Sequence, residues 1–391
     1  MCFLPADISI NLAGLDFQAV RVLAITGMLS LFFTSDVPEV RFNEIDKLFV
    51  GYISLLALAY VLVSVNMFGA FINQAGRFVD SIFLYYFLRH LIVTREDLNK
   101  IARVFIWCII FLSPFIIFEF FYGENLFSIV GRDKISVRGG EIRAAGSFSH
   151  PILLGSFAAA VLPMIWSNYK VSRKKRALLA SAFCILFVFA CSSSGPIVCL
   201  ISCLILLCFF KYKEHSKTIV RIGFVFILFI HFVREKSFWH FIYVRLSIKG
   251  SSTGYHRYNL VEAAIREFKN WWLAGYGDIG PDWHDKYWSW AHAAFTDVTN
   301  HYLLIGVKGG VLPMILFVVL CYKSLKILGK YAVSADAVED QWLWWGATVM
   351  MFTHCVTFLS VAYFGQITML LYMTFAIAAF TKGGPVNEGE R

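Results

Sequence analysis

The chain has 391 residues, 58% of them hydrophobic and only 16% charged, with a net charge of +9. Soluble domains run about 45–50% apolar and about 25% charged, so this composition, with a mean hydropathy of +0.65, excludes an ordinary soluble domain and describes a polytopic membrane protein. The positive charge does not by itself mark a nucleic-acid binder, because no basic run joins a nucleic-acid-binding motif and membrane proteins carry basic loops anyway.

A helix that crosses a bilayer needs about 20 mostly apolar residues. In chain order such segments fall near 18–34, 48–66, 77–93, 101–122, 151–167, 177–193, 195–212, 218–234, 299–322, 341–362 and 364–381. They predict an all-α fold, a polytopic helical bundle of about eleven (roughly 10–12) transmembrane helices forming one integral membrane domain over 1–391. No repeat and no Gly/Ser-rich or Pro-rich linker divides it. The stretch FLPADISINLAGLDF after Met1 reads like a connection between helices, and the span count predicts a further span ahead of it. The segment from Phe78 to Thr94 carries Asp80, Arg89 and His90 and reads as lying partly in the interface.

Orientation follows from the short loops. Lys170, Arg173, Lys174, Lys175 and Arg176 form the densest cationic cluster; Lys211, Lys213 and Lys217, then Lys323, Lys326 and Lys330, fall on the same side in this count. That side is expected to be cytoplasmic, which leaves 122–150 and 235–298 as the extracytoplasmic loops. Cys108, Cys184, Cys191, Cys199, Cys203, Cys208, Cys321 and Cys355 lie in or beside apolar segments, no C-x-x-C pair occurs, and they read as packing residues.

The first outer loop carries Arg132, Lys134, Arg138 and Arg143, with Gly139 and Gly140 between the last two. Cations on that side run against the usual bias, and an anionic substrate would explain them. Arg143 and Arg138 precede a helix that opens at Pro151, where free N–H groups, the helix dipole and guanidinium forks together suit a pyrophosphate. Contacts to lipid headgroups, Glu141 or Asp133 are the structural alternative. The second loop, 235–298, predicts an amphipathic helix over 254–272, with Leu260, Val261, Ala264, Ile265, Phe268, Trp271 and Trp272 at helical spacing. Arg257 stands near its start. The aromatic remainder, with Trp283, Trp288 and Trp290, suits sugar rings or an interfacial belt. Asp282, His284, Asp285 and His292 match no metal-ligand spacing, so no metal is assigned. Tyr255, Trp288 and Asn300 are candidate glycan contacts; His150, His231 and His354 read as capping or packing histidines.

Three stretches together resemble the O-antigen ligase and O-antigen polymerase superfamily: RAAGSFSHPILLGSFAAAVLP at 143–163, SSSGPIVCLISCLIL at 192–206, and the run from STGYHRYNLVEAAI at 252–265 through NWWLAGYGDIG at 270–280 to DVTNHYLLIGVKGGVLPMILF at 297–317. The resemblance covers about half the chain. It implies a bacterial inner-membrane glycosyltransferase whose site faces the periplasm, and which needs no cofactor, metal or nucleotide sugar. The donor it implies is an undecaprenyl-pyrophosphate-linked glycan; the acceptor is another glycan or lipid A core. Arg143, Arg138 and Arg257 would bind the pyrophosphate, with His301, Asp297 and Arg257 as catalytic candidates. The sequence departs from the ligase pattern where His precedes Asn: Thr299 stands there, and His301 lies on the other side of Asn300. One residue is about 100° of helix, so His301 does not fill the same place without a shift. A transporter or lipid-linked sugar flippase is the competing class, drawing on Lys308 beside Gly306, Gly309 and Gly310. A non-catalytic assembly subunit is the third.

Overall fold

The computed structural model describes residues 9–12, 15–34, 40–130, 136–138, 140–215, 237–245, 251–277, 280–287 and 296–383, with isolated positions elsewhere. A short antiparallel hairpin, β1 (Ser9–Leu12) and β2 (Leu15–Gln18), leads into helix α1 (Ala19–Phe33). There follow α2 (Glu44–Val63), α3 (Met67–Leu91) and α4 (Arg95–Tyr122). A second hairpin, β3 (Ser136–Arg138) and β4 (Glu141–Arg143), precedes α5 (Pro151–Ser172), α6 (Lys175–Ala190) and α7 (Ser194–Cys208). The second loop holds α8 (Ser251–Arg266) and short helical turns at Phe238–His240, Phe268–Trp271 and Trp283–Tyr287. The chain then returns through α9 (His301–Gly309), α10 (Val311–Ser334), α11 (Val338–Phe358) and α12 (Gln366–Gly383).

Among the described residues, five helices are long and apolar enough to cross a membrane: Glu44–Val63, Arg95–Tyr122, Pro151–Ser172, Ser194–His215 and Val311–Ser334. Arg21–Phe33 and Gln366–Phe380 are shorter apolar helices. Every segment expected to span is overlaid by a helix except 218–234, which lies largely outside the described residues, as does His231.

Local chemistry explains where these helices begin. Asn43 caps α2 by accepting from the Ile45 N–H at 2.9 Å, and the Asp46 carboxylate accepts from the Asn43 N–H at 2.8 Å, which closes a capping box. Gly123, in the left-handed conformation, ends α4. The bundle is built around α5, whose central residues Gly155, Ser156, Ala158, Ala159 and Ala160 let neighbouring helices approach closely. α5 packs against α6, α7 and α11.

Three expectations are corrected. The segment 77–93 belongs to a longer helix, α3, and two of its charges, Asp80 and Arg89, are matched from neighbouring helices. Asp80 accepts from Arg21 Nε at 2.9 Å, and buried Arg89 donates to buried Asp46 at 3.1 Å. The segment 299–322 is two helices. Gly310 has φ +88°, and a Cβ there would stand 2.4 Å from the Leu273 carbonyl oxygen, so the chain turns where only glycine fits. The amphipathic run over 254–272 is divided at Glu267 between α8 and the turn Phe268–Trp271. Its apolar residues also point two ways. Leu260, Ala264 and Trp271 pack with Trp283 and Val307 in a second core, whereas Ile265, Phe268 and Trp272 are exposed.

The Gly-x-Gly turn of the second loop seals the break. Gly275 has φ +71°, and a Cβ there would lie 2.4 Å from the Lys308 carbonyl carbon. The Tyr276 and Gly277 N–H groups donate to the Val307 and Lys308 carbonyls at 2.7 and 3.1 Å, and Val311 N–H donates to the Trp272 carbonyl at 2.8 Å. Carbonyls at the end of α9 that would otherwise lack partners are satisfied by the loop.

Candidate functional site

Arg143 closes β4, and the hairpin register explains why it does not stand alone. Ser136 lies opposite Arg143, and Arg138 lies opposite Glu141. Side chains alternate faces along a strand, so Arg138 and Arg143 are diagonal neighbours on one face. Gly140, with φ +81°, helps the chain reverse between them.

The segment after Arg143 is held from below by a carboxylate. Glu119, 1% exposed near the end of α4, accepts the Ala145 and Gly146 N–H groups at 3.1 and 2.7 Å and the Asn125 side-chain amide at 3.0 Å. Asn125 also donates to the Gly146 carbonyl at 2.9 Å, and Gln366 donates to the Ser147 carbonyl at 2.9 Å. On the other side Ala144 N–H donates to the Ala190 carbonyl at 3.0 Å, and Arg143 Nε to the Cys191 carbonyl at 3.2 Å. Arg143 is thereby fixed between the ends of α4 and α6, just ahead of α7.

The helix that follows needs no anion at its start. His150 caps α5, its Nδ1 accepting from the Ile152 N–H at 3.1 Å, while Leu153 N–H donates to the His150 carbonyl. The expectation that free N–H groups at Pro151 contribute to an anion cradle is corrected accordingly. α7 is different: Ser193 at its N-cap makes no side-chain cap bond.

Arg257 comes from the first half of α8 and is 8% exposed. Its Nε is buried and has no hydrogen-bond partner among the described residues. Burial pulls its guanidinium below the ordinary value; Tyr243 and Cys199 act the other way, Arg138 adds to the lowering and Asp297 opposes it. Arg143 is likewise lowered by burial first and by Arg138 after it. Both stay cationic at neutral pH, since a free guanidinium titrates above about 12. Arg138 therefore lies within electrostatic reach of both buried arginines, and cations from β3, β4 and α8 converge. Among the described residues neither Arg143 nor Arg257 makes an ion pair.

The other candidate residues divide. Asp297 is exposed, within electrostatic reach of Arg257, and its carbonyl is 3.3 Å from His256 Nε2. Asn300 is the N-cap of α9, accepting from the Leu303 N–H at 3.0 Å. Its amide donates to the Tyr243 hydroxyl at 3.0 Å, which donates to the Leu359 carbonyl at 2.8 Å. Asn300 thus fixes Tyr243 beside Arg257. Tyr255 is exposed, edge-on to His240 at 6.2 Å. Trp283 is fully buried in the second core, so packing rather than an open ring face accounts for it. Trp288, Trp290, Arg132, Lys134, His292 and the side chains of His284 and Asp285 lie outside the described residues.

His301 faces elsewhere. It is buried among Phe317, Phe358 and Tyr363, with ring centroids 5.3, 5.0 and 5.5 Å away. Its Nδ1 accepts from the Tyr363 N–H at 3.2 Å, so that nitrogen carries the lone pair and is engaged. It also lines a cavity between α2, α3, α9 and α12, whose lining includes none of Arg138, Arg143 and Arg257. His354 is a satisfied core histidine, bonded to Tyr363 Oη at 2.7 Å.

Glu119, Asn125 and Tyr243 were not singled out by the sequence. Glu119 carried a signal, an acid inside an apolar span. Tyr243 carried none.

No family model, no curated protein and no solved structure matches the chain.

Proposed function

We propose that the protein is a membrane glycosyltransferase of the O-antigen ligase and polymerase kind, which transfers or polymerises a glycan carried on undecaprenyl pyrophosphate at the periplasmic face of a bacterial inner membrane. The observation that carries this reading is the convergence of Arg138, Arg143 and Arg257 with no ion pair to either buried arginine. A buried charge without a counter-ion costs several kcal/mol, and a pyrophosphate lying across the guanidinium groups would offset that cost.

Distance along the bundle supports the orientation. α5 has 22 residues, or about 33 Å of helix, which matches a hydrocarbon core of about 30 Å. Arg143 lies just ahead of its start, and Lys170, Arg173, Lys174, Lys175 and Arg176 lie at its end and just beyond. The latter cluster marks the cytoplasmic side, so the arginines stand at the periplasmic one. Within this reading the bundle has about eleven spans, the shorter and more polar helices among them.

The reaction is an exchange at the anomeric carbon. An acceptor hydroxyl oxygen attacks that carbon and the carbon–oxygen bond to pyrophosphate breaks. The leaving pyrophosphate takes the bonding electron pair, and Arg143, Arg257 and Arg138 stabilise its charge. Asp297, beside Arg257, receives the hydroxyl proton. His301, with Nδ1 engaged by the Tyr363 N–H and its ring among aromatics, is less available to an acceptor hydroxyl. No cofactor enters this scheme, and the acceptor is a second lipid-linked glycan or lipid A core.

The test is transfer by the purified protein in lipid nanodiscs, supplied with an undecaprenyl-pyrophosphate-linked glycan and an acceptor. Arg143→Ala and Arg257→Ala should each abolish product while inserting normally; near-wild-type transfer by both removes the mechanism. In the native host, deletion that leaves a single capped repeat assigns a polymerase, whereas polymer accumulating on the carrier assigns a ligase.

One observation favours the transporter reading instead. The helix pair α9–α10 is broken at Gly310 beside Lys308, as discontinuous helices are in transporters. Glycan-lipid translocation in vesicles without any transfer would support it.

A further inference from the structure

A second cationic place lies apart from the arginines just described. Between α2, α3, α9 and α12 the structure forms an open-mouthed cavity of about 390 Å³, within the range of ligand pockets. Its apolar wall includes Ile53, Leu56, Leu84 and Met369, and its polar wall Tyr60, Gln74, Arg77 and Lys308.

The polar wall is cationic and incomplete. The Arg77 guanidinium carbon and Lys308 Nζ each stand 5.8 Å from the centroid of the same Tyr60 ring. An aromatic face compensates a cation only in part. Neither cation makes an ion pair among the described residues. Asp80 shares the cavity, but Arg21 engages both of its oxygens, at 2.9 Å. Ser81 is engaged too, with Tyr372 Oη at 3.1 Å. What stays unengaged is specific: Tyr60 Oη and Gln74 Nε2 are buried, in residues 2% and 6% exposed, and neither has a partner among the described residues. Buried polar atoms nearly always find partners, so a pair of orphans beside two cations marks a site for an acceptor-rich anion.

The surroundings say which kind of anion. α3, which supplies Gln74 and Arg77, also exposes Phe68, Phe71 and Ile72 along its first turns. The cavity thus lies beside surface suited to hydrocarbon, and its own far wall is apolar. We propose that this cavity binds the phosphate of a membrane lipid, with Arg77 and Lys308 on the phosphate, Tyr60 Oη and Gln74 Nε2 donating to its oxygens, and the first acyl carbons against Ile53, Leu56 and Met369. Tyr60 takes part twice, as the ring near both cations and as a donor. None of Arg138, Arg143 and Arg257 lines the site, so the phosphate contacts proposed here do not use the pyrophosphate arginines, although His301 lies in its wall.

The test uses the full-length protein in detergent micelles, titrated separately with dioctanoyl phosphatidic acid, dioctanoylglycerol and inorganic phosphate, and read by native mass spectrometry. Phosphatidic acid should bind about tenfold more tightly than either of the others. The double variant Arg77→Gln, Lys308→Gln should lose about tenfold in that affinity, while Arg143→Ala binds as the wild type does. Tyr60→Phe keeps the ring and removes only the orphan hydroxyl; it should weaken binding about threefold without lowering the melting temperature, and it carries the test if the double variant does not fold. Equal binding of dioctanoylglycerol overturns the phosphate contact, and equal binding of inorganic phosphate overturns the lipid. Undiminished binding by the double variant and Tyr60→Phe, or loss in Arg143→Ala, overturns the location.

Discussion

Arg89 and Arg257 are both buried arginines in a largely apolar chain, 2% and 8% exposed, and their surroundings differ in one respect. Arg89 donates to Asp46 at 3.1 Å, and the same carboxylate accepts from the Tyr85 hydroxyl at 2.6 Å and the Asn43 N–H at 2.8 Å. The charge there is matched by the protein itself, and the group ties α2 to α3. Arg257 and its companion Arg143 have no such bonded match; Arg138 reaches both electrostatically, and exposed Asp297 reaches Arg257 without pairing with it. The lesson is that burial alone does not separate a structural cation from a functional one. The test is whether the fold supplies the counter-charge.

The comparison breaks most visibly at the matched pair. Arg89→Ala leaves Asp46 buried and unpaired, which should cost about 3–5 kcal/mol and show as a large loss of folded protein in a thermal scan. Arg257→Ala and Arg143→Ala should behave in the opposite way. Glycan transfer should fall by about 10²–10³-fold, equivalent to roughly 3–4 kcal/mol of transition-state stabilisation, while stability is kept or raised, because an uncompensated buried charge is removed. A melting temperature that collapses in these variants would make the arginines structural, like Arg89.

Two weaker changes probe the scaffold. Glu119→Ala removes the acceptor for the Ala145 and Gly146 N–H groups, at about 1–3 kcal/mol, and should expose the 136–147 segment to limited proteolysis. Unchanged cleavage would show that the backbone bonds to Ala190 and Gln366 suffice. Asn300→Ala removes the cap of α9 and the bond that fixes Tyr243; about 1 kcal/mol is expected, with a modest drop in transfer rather than its abolition. Loss of all transfer with stability intact would instead place Asn300 on the substrate.

Much of the bundle was legible because an apolar run of about 20 residues has few alternatives in a bilayer. The hairpin of β3 and β4 was not, since three-residue strands leave no periodicity to read; the Gly139–Gly140 pair was its trace. The break at Gly310 was written in the sequence as Gly309-Gly310 but masked by the apolar residues on either side. Arg138, Arg143 and Arg257 were legible as cations in the two long inter-helix segments, and their convergence follows from the hairpin register and the docking of α8. His301 shows the opposite case. Its place in the motif suggested chemistry, yet its direction depends on Phe317, Phe358 and Tyr363, which come from three separate later parts of the chain. Glu119 was passed over because a single acid barely lowers the hydropathy of a long apolar helix.

The central claim is that the missing counter-charge is a pyrophosphate supplied by the substrate. The most direct test is the melting temperature of the protein in lipid nanodiscs with and without undecaprenyl pyrophosphate. At about 100 times the dissociation constant, binding should stabilise the wild type by about 2.7 kcal/mol, and the double variant Arg143→Gln, Arg257→Gln should lose that gain. No shift in the wild type, or the same shift in the double variant, would contradict the account.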